Sequence, residues 1–494
     1  MARRNYELGL YKEFELLNEK IDKLLSTNQK QTLTIQNLNL EIEKLNKIIE
    51  EKDKKIELLL EKIDKLENKN NKNSSNSSKP SSTDMVRPKK SGANLYNSRI
   101  KTNNKVGGQK GHDGHNLNKE KIEKMISEGK IIVNEIIHKI NGNSKRIPTI
   151  KYRLCMKINT YVEKHIFIYD EKSNNKLPKE FYSDVTYDNY IKALAIELGT
   201  YNIISYNRLS DFFNVLTNGI INISQGTLVN FSEEFSNKSI PTLLNIKNNL
   251  LNGKNMGTDE TSAKYNKKNI YVRNYSNSAN VLYKAHERKG HDPIKEDNIL
   301  PIYTGGIIGD HDTVLYSYGV MNYECNIHMG RYLEELIQNI PNIVWPRKMK
   351  KLLFSMNEDR KQKILENESK FTDIEINNYY KEYDDILEIA KKENLLINSV
   401  FYRDKADKLY RRLRKYKENH LYFIKDFKVL FDNNISERDL RIFKIKTKVS
   451  GGFRSHLGIE RYVNALSIIK TSKKRNINPF NTIKNIFNNK VLFA

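Results

Sequence analysis

Cysteine and tryptophan are nearly absent from this chain of 494 residues, which contains two cysteines, Cys155 and Cys325, and one tryptophan. Two cysteines cannot build a disulfide framework, so that class of small secreted protein is excluded and a reducing cytoplasm is expected. The sequence also lacks a run of about 18 consecutive apolar residues, so we expect no segment to span a membrane. The N-terminal residues contain no apolar stretch followed by a small-residue cleavage site, so secretion is not expected.

Acidic residues are too few to balance the basic ones. The chain has 85 Lys and Arg against 60 Asp and Glu, which gives a net charge of +25. An excess of this size favours a polyanionic partner such as nucleic acid. The alternative, a charged surface that serves only solubility, usually mixes both signs. A chain of this length is expected to form roughly two or three domains.

A heptad repeat occupies residues 10–67. The a positions are apolar except for one asparagine, and they are Phe14, Ile21, Asn28, Ile35, Ile42, Ile49, Ile56 and Ile63. The d positions are leucine except for Gln31 and Lys52. Ile at a with Leu at d favours a parallel two-stranded coiled coil, and a single Asn at a fixes its register. The alternative, one amphipathic helix packed on the protein body, usually has a wider apolar face. We therefore expect a homodimer that forms through this helix.

Residues 68–117 have the composition of a disordered linker followed by a basic, glycine-rich arm. The Ser/Asn tract at 68–84 has almost nothing apolar to bury, so it is not expected to order itself. In the arm, glycines let the backbone approach a phosphate chain while cations displace its counterions. A solvated linker would have much the same composition. The candidate DNA-binding residues of the arm are Lys89, Lys90, Arg99, Lys101, Lys105 and Lys110.

The next two segments differ in the period of their apolar residues. Alternation at 118–175 predicts a small β-rich module, whereas spacings of three and four at 176–250 predict helices. Ser224 or Gly226 would begin the second long helix of that region. Two helices around a short polar turn are compatible with helix-turn-helix DNA binding, but ordinary helical packing gives the same pattern.

From residue 251 the pattern predicts an α/β fold. Short strands are predicted at 255–265, 268–277, 279–288 and near 301–312, with a helix near 292–299 before the last of them. A charged helical region follows at 326–425, and the final helices are predicted at 434–447 and 457–472. Trp345, in the inserted helical region, is expected to be a packed core residue rather than a platform for an unpaired base.

Three acidic residues are separated in the sequence but stand where such a sheet could bring them together. Asp259 lies within the first strand, Asp310 ends the fourth and Glu437 begins a helix, a spacing that suits a ribonuclease-H-like sheet. Two-metal phosphoryl transfer needs carboxylates to hold two ions about 4 Å apart, and Mg²⁺ prefers oxygen ligands. Each acid also has an ordinary interpretation. Asp259 could lie on the solvent face of a hairpin, Asp310 could lie in a turn, and Glu437 could form a capping box with Asn434.

Motifs along nearly the whole chain resemble transposases of the insertion sequence 66 family. They are SSNSSKPSSTD, GGQKGHDGH, GTYNIISYNRLSDFFN, ISQGTLVNF, DETSAK, GDHDTVLYSYG, ECNIHMGRYLEEL, NNISERDLRIFKIKTKVSGGFRS and RYVNALSIIKTSKKRNINPF. The resemblance implies a DDE enzyme that cuts and joins double-stranded DNA at the ends of a mobile element. It implies that Asp259, Asp310 and Glu437 hold two Mg²⁺ ions, with Mn²⁺ as a substitute. Asp312, which alternation places two residues on and on the same face, stays open as an alternative to Asp310.

The resemblance and the composition together divide the chain. The expected parts are a coiled coil at 10–67, a linker and arm at 68–117, a β-rich module at 118–175, a helical DNA-binding region at 176–250, a ribonuclease-H-like core at 251–325 and 426–450, a helical insertion at 326–425 and a C-terminal helical segment at 451–494. Further DNA contacts are expected at Arg438, Arg441, Lys444 and Arg454, near the third acid. The expected location is the bacterial cytoplasm, at the nucleoid.

One departure from the family concerns zinc. The family usually has a small zinc-binding module between the arm and the helices, but here that region offers only Cys155, which cannot form a four-ligand site. Cys325 and His328 are half of a site with no second pair, so no zinc is expected there either. Two alternative functions follow: a non-catalytic dimeric DNA-binding protein, such as the product of a decayed element, and a ribonuclease-H-like nuclease without end specificity.

Overall fold

The computed structural model describes residues 2–77, 118–138, 150–156, 158–167, 181 and 183–494. The chain divides into two compact units. The first unit contains residues 1–89, 328–353 and 377–417, and the second contains residues 90–327, 354–376 and 418–494. Several helices of the inserted region begin in one unit and end in the other, so the predicted insertion at 326–425 does not coincide with a single unit.

The first unit is dominated by a helix of 70 residues, α1 (Ala2–Asn71). Its heptad side chains are exposed in the single chain; Ile35 and Ile42, for example, are 57% and 53% exposed. The C-terminal end of α1 contacts two helices of the inserted region, α7 (Asn326–Asn339) and α10 (Val400–Lys415). The Asn68 side chain donates to Glu335 of α7 at 3.0 Å, and Lys405 of α10 donates to Asn68 at 2.9 Å. The predicted long helix is therefore confirmed.

The inserted region of the chain also contains α8 (Trp345–Leu365), α9 (Asp373–Asn394) and α11 (Lys417–Lys425). Trp345 is fully buried, and its indole nitrogen donates a hydrogen bond of 2.9 Å to Asn394. A buried indole that satisfies its N–H in this way is a core residue. The expectation for Trp345 is confirmed.

The second unit is built on a five-stranded mixed sheet. Its strands are β1 (Asn255–Tyr265), β2 (Lys268–Ser276), β3 (Val281–His286), β4 (Gly306–Gly309) and β5 (Met321–Glu324). Their order across the sheet is β3-β2-β1-β4-β5. The β1–β2 and β2–β3 pairs are antiparallel, and the β1–β4 and β4–β5 pairs are parallel. The first four strands were predicted, whereas the four-residue β5 was missed.

Local chemistry explains the β1–β2 hairpin. Tyr265 pairs with Lys268, so only Asn266 and Lys267 form the turn, and both have positive φ, 42° and 66°. A two-residue turn with positive φ at both positions matches the twist of the strands that it joins, and asparagine tolerates that conformation. The connection from β3 to β4 contains the short helix α6 (His291–Asp297).

Helices precede and follow the sheet in the chain, and some of them cover its two faces. Before it in the chain are α2 (Lys119–Ser127), α3 (Asn189–Thr200), α4 (Tyr206–Leu216) and α5 (Gln225–Leu251), and after it α12 (Asn434–Ser450), α13 (His456–Lys474) and α14 (Pro479–Phe487). Ser224 caps α5 by accepting a hydrogen bond from the Thr227 N–H, as one of the two predicted starts requires.

The strands bury side chains on each face. On one face, Val272 and Tyr283 pack against Leu440 and Phe443 of α12 and against α13. On the other, Met256, Tyr275 and Ile307 lie in a cluster with residues of α5, α13 and α14. We call these surfaces the α12 face and the α5 face. Successive strand residues alternate between them.

Residues 118–175 differ from the prediction. Where the structure describes this segment, it contains one helix, α2, and no strand. The alternating apolar side chains of the described part are exposed; Ile132, Ile137 and Val162 are 91%, 85% and 92% exposed. Alternation predicts a strand only where a neighbouring strand pairs with it, and the described strands pair with one another instead.

The helices of the described residues do not resemble membrane spans. None of them combines the length and the apolar composition that crossing a membrane would require.

Candidate active site

The pairing of β1 with β4 determines where Asp259 and Asp310 lie. The last pair of this parallel ladder is Gly257 with Ile308. Continuing the same register by two residues brings Asp310 level with Asp259. Both positions belong to the α12 face, because Asp259 pairs with Asn274 of β2 and the Asn274 side chain bonds α12. Two of the three acids therefore take neighbouring positions on adjacent strands, Asp259 within β1 and Asp310 directly after β4.

Helix α12 begins against the same part of β1. The Asn433 side chain donates a hydrogen bond of 2.7 Å to the carbonyl oxygen of Thr258, and Asn274 donates one of 3.0 Å to the carbonyl oxygen of Ser436. Asn433 and Ser436 flank Gly257 so closely that a Cβ on that glycine would overlap both side chains. Since Glu437 is the next residue after Ser436, its backbone is fixed within one turn of these contacts.

The end of β5 is joined to the same helix start. The Cys325 N–H donates to the carbonyl oxygen of Gly309, which directly precedes Asp310. The Asn433 N–H in turn donates to the sulfur of Cys325 at 3.3 Å, and that sulfur lies within 4.8 Å of a Glu437 carboxylate oxygen. A continuous set of hydrogen bonds therefore connects the backbones of Asp310 and Glu437. Asp259 is joined to the same helix start, because its N–H donates to the Asn274 side chain that bonds Ser436.

The electrostatics of Asp259 reflect this crowded position. Burial raises the pKa of Asp259 above its ordinary value, while the Lys444 charge and a hydrogen bond from the Glu260 N–H oppose that rise. A carboxylate that is removed from water in this way favours a nearby cation. Lys444 lies two turns after Glu437 on α12, so the helix supplies part of that positive charge.

The solvent-facing side of α12 is basic. Glu437, Arg441, Lys444 and Lys448 follow one another at helical spacing, and the last three are exposed. Arg438 and Arg454 are also exposed. The six candidate residues of the arm, Lys89 to Lys110, lie outside the described residues.

Asp312 lies on the opposite face of the sheet from α12. Its carboxylate is 3.3 Å from the buried guanidinium of Arg273, which also binds Glu260 at 2.9 Å, and it caps a 3₁₀ turn by accepting from the Val314 N–H. The sequence pattern placed Asp310 and Asp312 on one face, and that expectation is wrong. The reason is His311, whose φ of 39° interrupts the alternation at the end of β4.

The capping-box interpretation of Glu437 is also wrong. Helix α12 begins at Asn434, and its N-cap is Asn433, whose side chain makes no capping hydrogen bond. The Asn433 side chain bonds β1 instead, and Glu437 is the fourth residue of the helix rather than the third.

Several residues that build the site were not found by sequence reasoning. Asn433, Ser436 and Asn274 tie α12 to β1, and Arg273 is buried beneath the turn that follows Asp310. Their contacts join segments more than 150 residues apart in two cases, as between Asn274 and Ser436. The only local signal is the set of polar residues Asn433, Asn434 and Ser436 at the start of an otherwise amphipathic helix.

The donor set suits a hard divalent cation. The three acids offer carboxylate oxygens, two from adjacent strands and one from the helix that packs on β1, and the exposed side of that helix is basic. Mg²⁺ and Mn²⁺ take such ligands, and carboxylates of this kind position phosphoryl groups for displacement. The residues present therefore fit the cations that a phosphoryl-transfer enzyme uses.

Comparison with known families places this site in context. The model of the transposase IS66 family, a DDE transposase family, matches residues 185–461, which is more than half of the chain and includes all three acids. Residues 26–118 match a family of unknown function (DUF6444). No curated protein matches the chain. The chain belongs to the IS66 family of transposases.

Proposed function

We propose that this transposase cleaves and joins phosphodiester bonds at the ends of an insertion sequence, with Asp259, Asp310 and Glu437 as its catalytic acids. The observation that carries the proposal is the register of β1 and β4, which makes Asp259 and Asp310 neighbours on the face where α12 begins. The convergence that we propose, of acids from three segments separated by 50 or more residues, would be unexpected for ordinary surface acids.

The strand order supports a ribonuclease-H-like core. A sheet ordered β3-β2-β1-β4-β5, with an antiparallel hairpin run on one side and parallel strands on the other, is the arrangement expected of that fold. The core consists of residues 251–325 and 426–450, and the helical insertion between them separates the second acid from the third. The other predicted boundaries, 10–67, 68–117, 118–175, 176–250 and 451–494, are part of the same proposal.

Each acid has a defined part in the chemistry. Divalent cations, Mg²⁺ in the cell, supply positive charge that stabilises the attacking and leaving oxygens of the displacement. Asp259 within β1 and Asp310 directly after β4 would hold these cations, and Glu437 would complete the ligand set from α12. This role explains why a basic helix begins with a carboxylate. We propose no zinc for this chemistry.

The basic side of α12 would position the DNA. Arg441 follows Glu437 by one turn and Lys444 by two, so cations at these positions lie beside the acids. Arginine and lysine bind phosphate as forks or point charges, and phosphate contacts fix the register of a protein on DNA. Arg438, Arg454 and the arm residues Lys89, Lys90, Arg99, Lys101, Lys105 and Lys110 extend this proposed surface.

A dimer would let one complex handle both ends of the element. The heptad side chains of α1 are exposed in the single chain, and a second copy of α1 would bury them. The proposed partners are therefore double-stranded DNA and a second copy of this chain.

Strand cleavage by single-site variants tests the proposal. The substrate is a plasmid that carries the DNA flanking the gene, in Mg²⁺ buffer. Asp259→Asn, Asp310→Asn and Glu437→Gln should each lower the cleavage rate by at least about a hundredfold, the scale of losing one electrostatic stabiliser of a transition state. DNA binding, measured by gel shift in EDTA, should stay within about twofold, because binding rests mainly on phosphate contacts.

The matched control is Asp404→Asn, which neutralises an exposed carboxylate that pairs with Lys408 on α10. It should cleave at the wild-type rate. Wild-type rates from any of the three site variants would contradict the assignment of that residue. Cleavage by the wild type without preference for the element's ends would indicate a nuclease instead, and binding without any metal-dependent nicking would indicate a DNA-binding protein.

A further inference from the structure

Two buried charged side chains flank the turn that follows Asp310. Arg273 of β2 is 4% exposed and holds the Asp312 carboxylate at 3.3 Å. Glu324 of β5 is 1% exposed, and its carboxylate lies 2.5 Å from Nδ1 of His311 and also accepts from the Tyr316 hydroxyl. The two residues after Asp310 are thus each held by a buried group from another strand, Asp312 from β2 and His311 from β5.

Burying such groups is costly. A carboxylate or guanidinium loses several kcal/mol of hydration when it leaves water, and pairing recovers this only when the geometry is good. Apolar residues at these positions would pack the α5 face of the sheet without that cost. The charged groups make contacts that depend on orientation. An ion pair and a hydrogen bond therefore fix the orientation of the turn after Asp310 more strictly than apolar contacts would.

We propose that Arg273 and Glu324 are positioning residues that hold His311 and Asp312 on the α5 face, so that Asp310 alone projects toward Asp259 and Glu437. This inference rests on the proposed function. His311 adopts a φ of 39°, a conformation that costs energy for a residue with a side chain and persists only where its surroundings impose it. Glu324 imposes it from β5 and Arg273 from β2.

The contacts of Arg273 and Glu324 also determine which of the two acids, Asp310 or Asp312, is the metal ligand. The Asp312 carboxylate pairs with Arg273 and accepts a hydrogen bond from the Val314 N–H, and both contacts lie away from the α12 face. Asp310 retains the strand direction and faces α12. Ligands must be held within a fraction of an ångström for a two-metal site to form, so the turn that carries Asp310 has to be rigid.

The test measures Mn²⁺ binding by the full-length protein without DNA, from the loss of the free-ion signal in electron paramagnetic resonance. Arg273→Lys ends one bond short of Nη2, the nitrogen that contacts both carboxylates, and Asp312→Asn removes the charge that Arg273 holds. Each should weaken Mn²⁺ binding roughly tenfold, as expected for groups that orient metal ligands without touching the metal. Circular dichroism establishes that each variant is folded.

Lys289→Met is the matched control. Lys289 pairs with Glu260 at 3.0 Å within the same cluster, but it is 59% exposed and has no ion pair with Asp312 among the described residues. It changes the net charge by one unit, and Mn²⁺ affinity should stay within about twofold of the wild type.

The other outcomes separate the rival explanations. If Arg273→Lys lowers thermal stability but leaves Mn²⁺ affinity unchanged, Arg273 is only structural and the inference is overturned. If Asp312→Asn abolishes binding as completely as Asp310→Asn, Asp312 is itself a ligand and the inference is again overturned. If Asp310→Asn and Asp259→Asn both bind Mn²⁺ like the wild type, the proposed function fails, whatever the roles of Arg273 and Glu324.

Discussion

Gly257 lets α12 approach β1. A Cβ built on this residue would lie 2.6 Å from the Asn433 side-chain oxygen and would overlap the Ser436 hydroxyl. Real Cβ atoms do not come this close to their neighbours, so any larger residue must push the start of α12 away from the sheet. Because Glu437 follows Ser436, that displacement moves the third acid relative to the other two.

Gly257→Ala should therefore impair both stability and cleavage. Overpacking at a closely packed position costs typically about 1–3 kcal/mol, and the shift of α12 should lower strand cleavage by at least about tenfold. Gly226→Ala is the control, since Gly226 lies in the first turn of α5 with its nearest neighbour 3.7 Å from a built Cβ. Thermal melts and cleavage rates check both; equal behaviour of the two variants would contradict the close contact.

The residues of the site were only partly predictable. Asp259, Asp310 and Glu437 could be proposed from their positions in strands and at a helix start. The choice between Asp310 and Asp312 could not, because it depends on an ion pair with Arg273 from a different strand and on the positive φ of His311. Pattern reasoning assumes that alternation continues, and tertiary contacts decide where it stops.

Helix α12 is the element that joins the core to the site. Its buried side includes Leu440, Phe443 and Asp439. Asp439 accepts from the Ser276 hydroxyl at 3.0 Å and pairs with Lys470 at 3.1 Å and Lys474 at 2.6 Å, both on α13. This buried network fixes the rotation of α12, so that its opposite side presents Glu437 and Arg441.

Removing the Asp439 carboxylate should destabilise α12 strongly. Asp439→Ala leaves two cations without their common partner, and breaking a buried pair in this way costs about 3–5 kcal/mol. Hydrogen exchange of peptides covering α12 and α13 should accelerate accordingly. Asp404→Ala breaks an exposed pair on α10 and should change stability by no more than about 0.5 kcal/mol. Unchanged exchange in Asp439→Ala would contradict an anchoring role for the network.

The exposed side of α12 gives a prediction about DNA. Arg441→Ala should weaken DNA binding at every sequence and lower the slope of log affinity against log salt by about one, because one phosphate contact is lost. Lys490→Ala, an exposed cation beyond α14, is the control and should leave the slope unchanged. Binding titrations at several salt concentrations measure both. A slope that is the same in Arg441→Ala and the wild type would exclude this residue from the DNA surface.

Elements with strong local signals were predictable, and those with weak ones were not. The first three strands have the expected positions because β-branched and aromatic residues alternate between turn residues. Strand β5 contains four residues, Met321 to Glu324, and among the described strands it pairs with β4 alone, so nothing within it distinguishes it from a loop. The segment 118–175 is the reverse case. Its apolar residues alternate as in a strand, but the described part of the segment has no strand to pair with.

On the scale of the whole molecule, α1 is the feature that points beyond a single chain. Its heptad side chains are exposed, although a seam of isoleucine and leucine of this length is suited to burial against a second helix. The polar residues Asn28 and Gln31 interrupt the seam and would specify its register at some cost in stability.

Placing charge in this seam should abolish the dimer. Ile35→Lys combined with Ile42→Lys puts two cations at a positions of each chain. In a parallel dimer each of these lysines would be buried against the same lysine of the second chain, which carries a like charge. Gln36→Lys combined with Asn37→Lys adds the same charge outside the seam and should remain dimeric. Analytical ultracentrifugation at micromolar concentration distinguishes monomer from dimer. A dimer that survives the isoleucine substitutions would mean that α1 does not mediate association.

The most direct test of the central claim is anomalous scattering from crystals of the transposase grown or soaked with Mn²⁺. The claim is that Asp259, Asp310 and Glu437 form one chelating group on the α12 face. It predicts anomalous peaks between these three carboxylates, with two peaks about 4 Å apart when DNA is bound. Mn²⁺ bound at Asp312 and Glu260 on the α5 face, or no peak within coordination distance of the three acids, would contradict it.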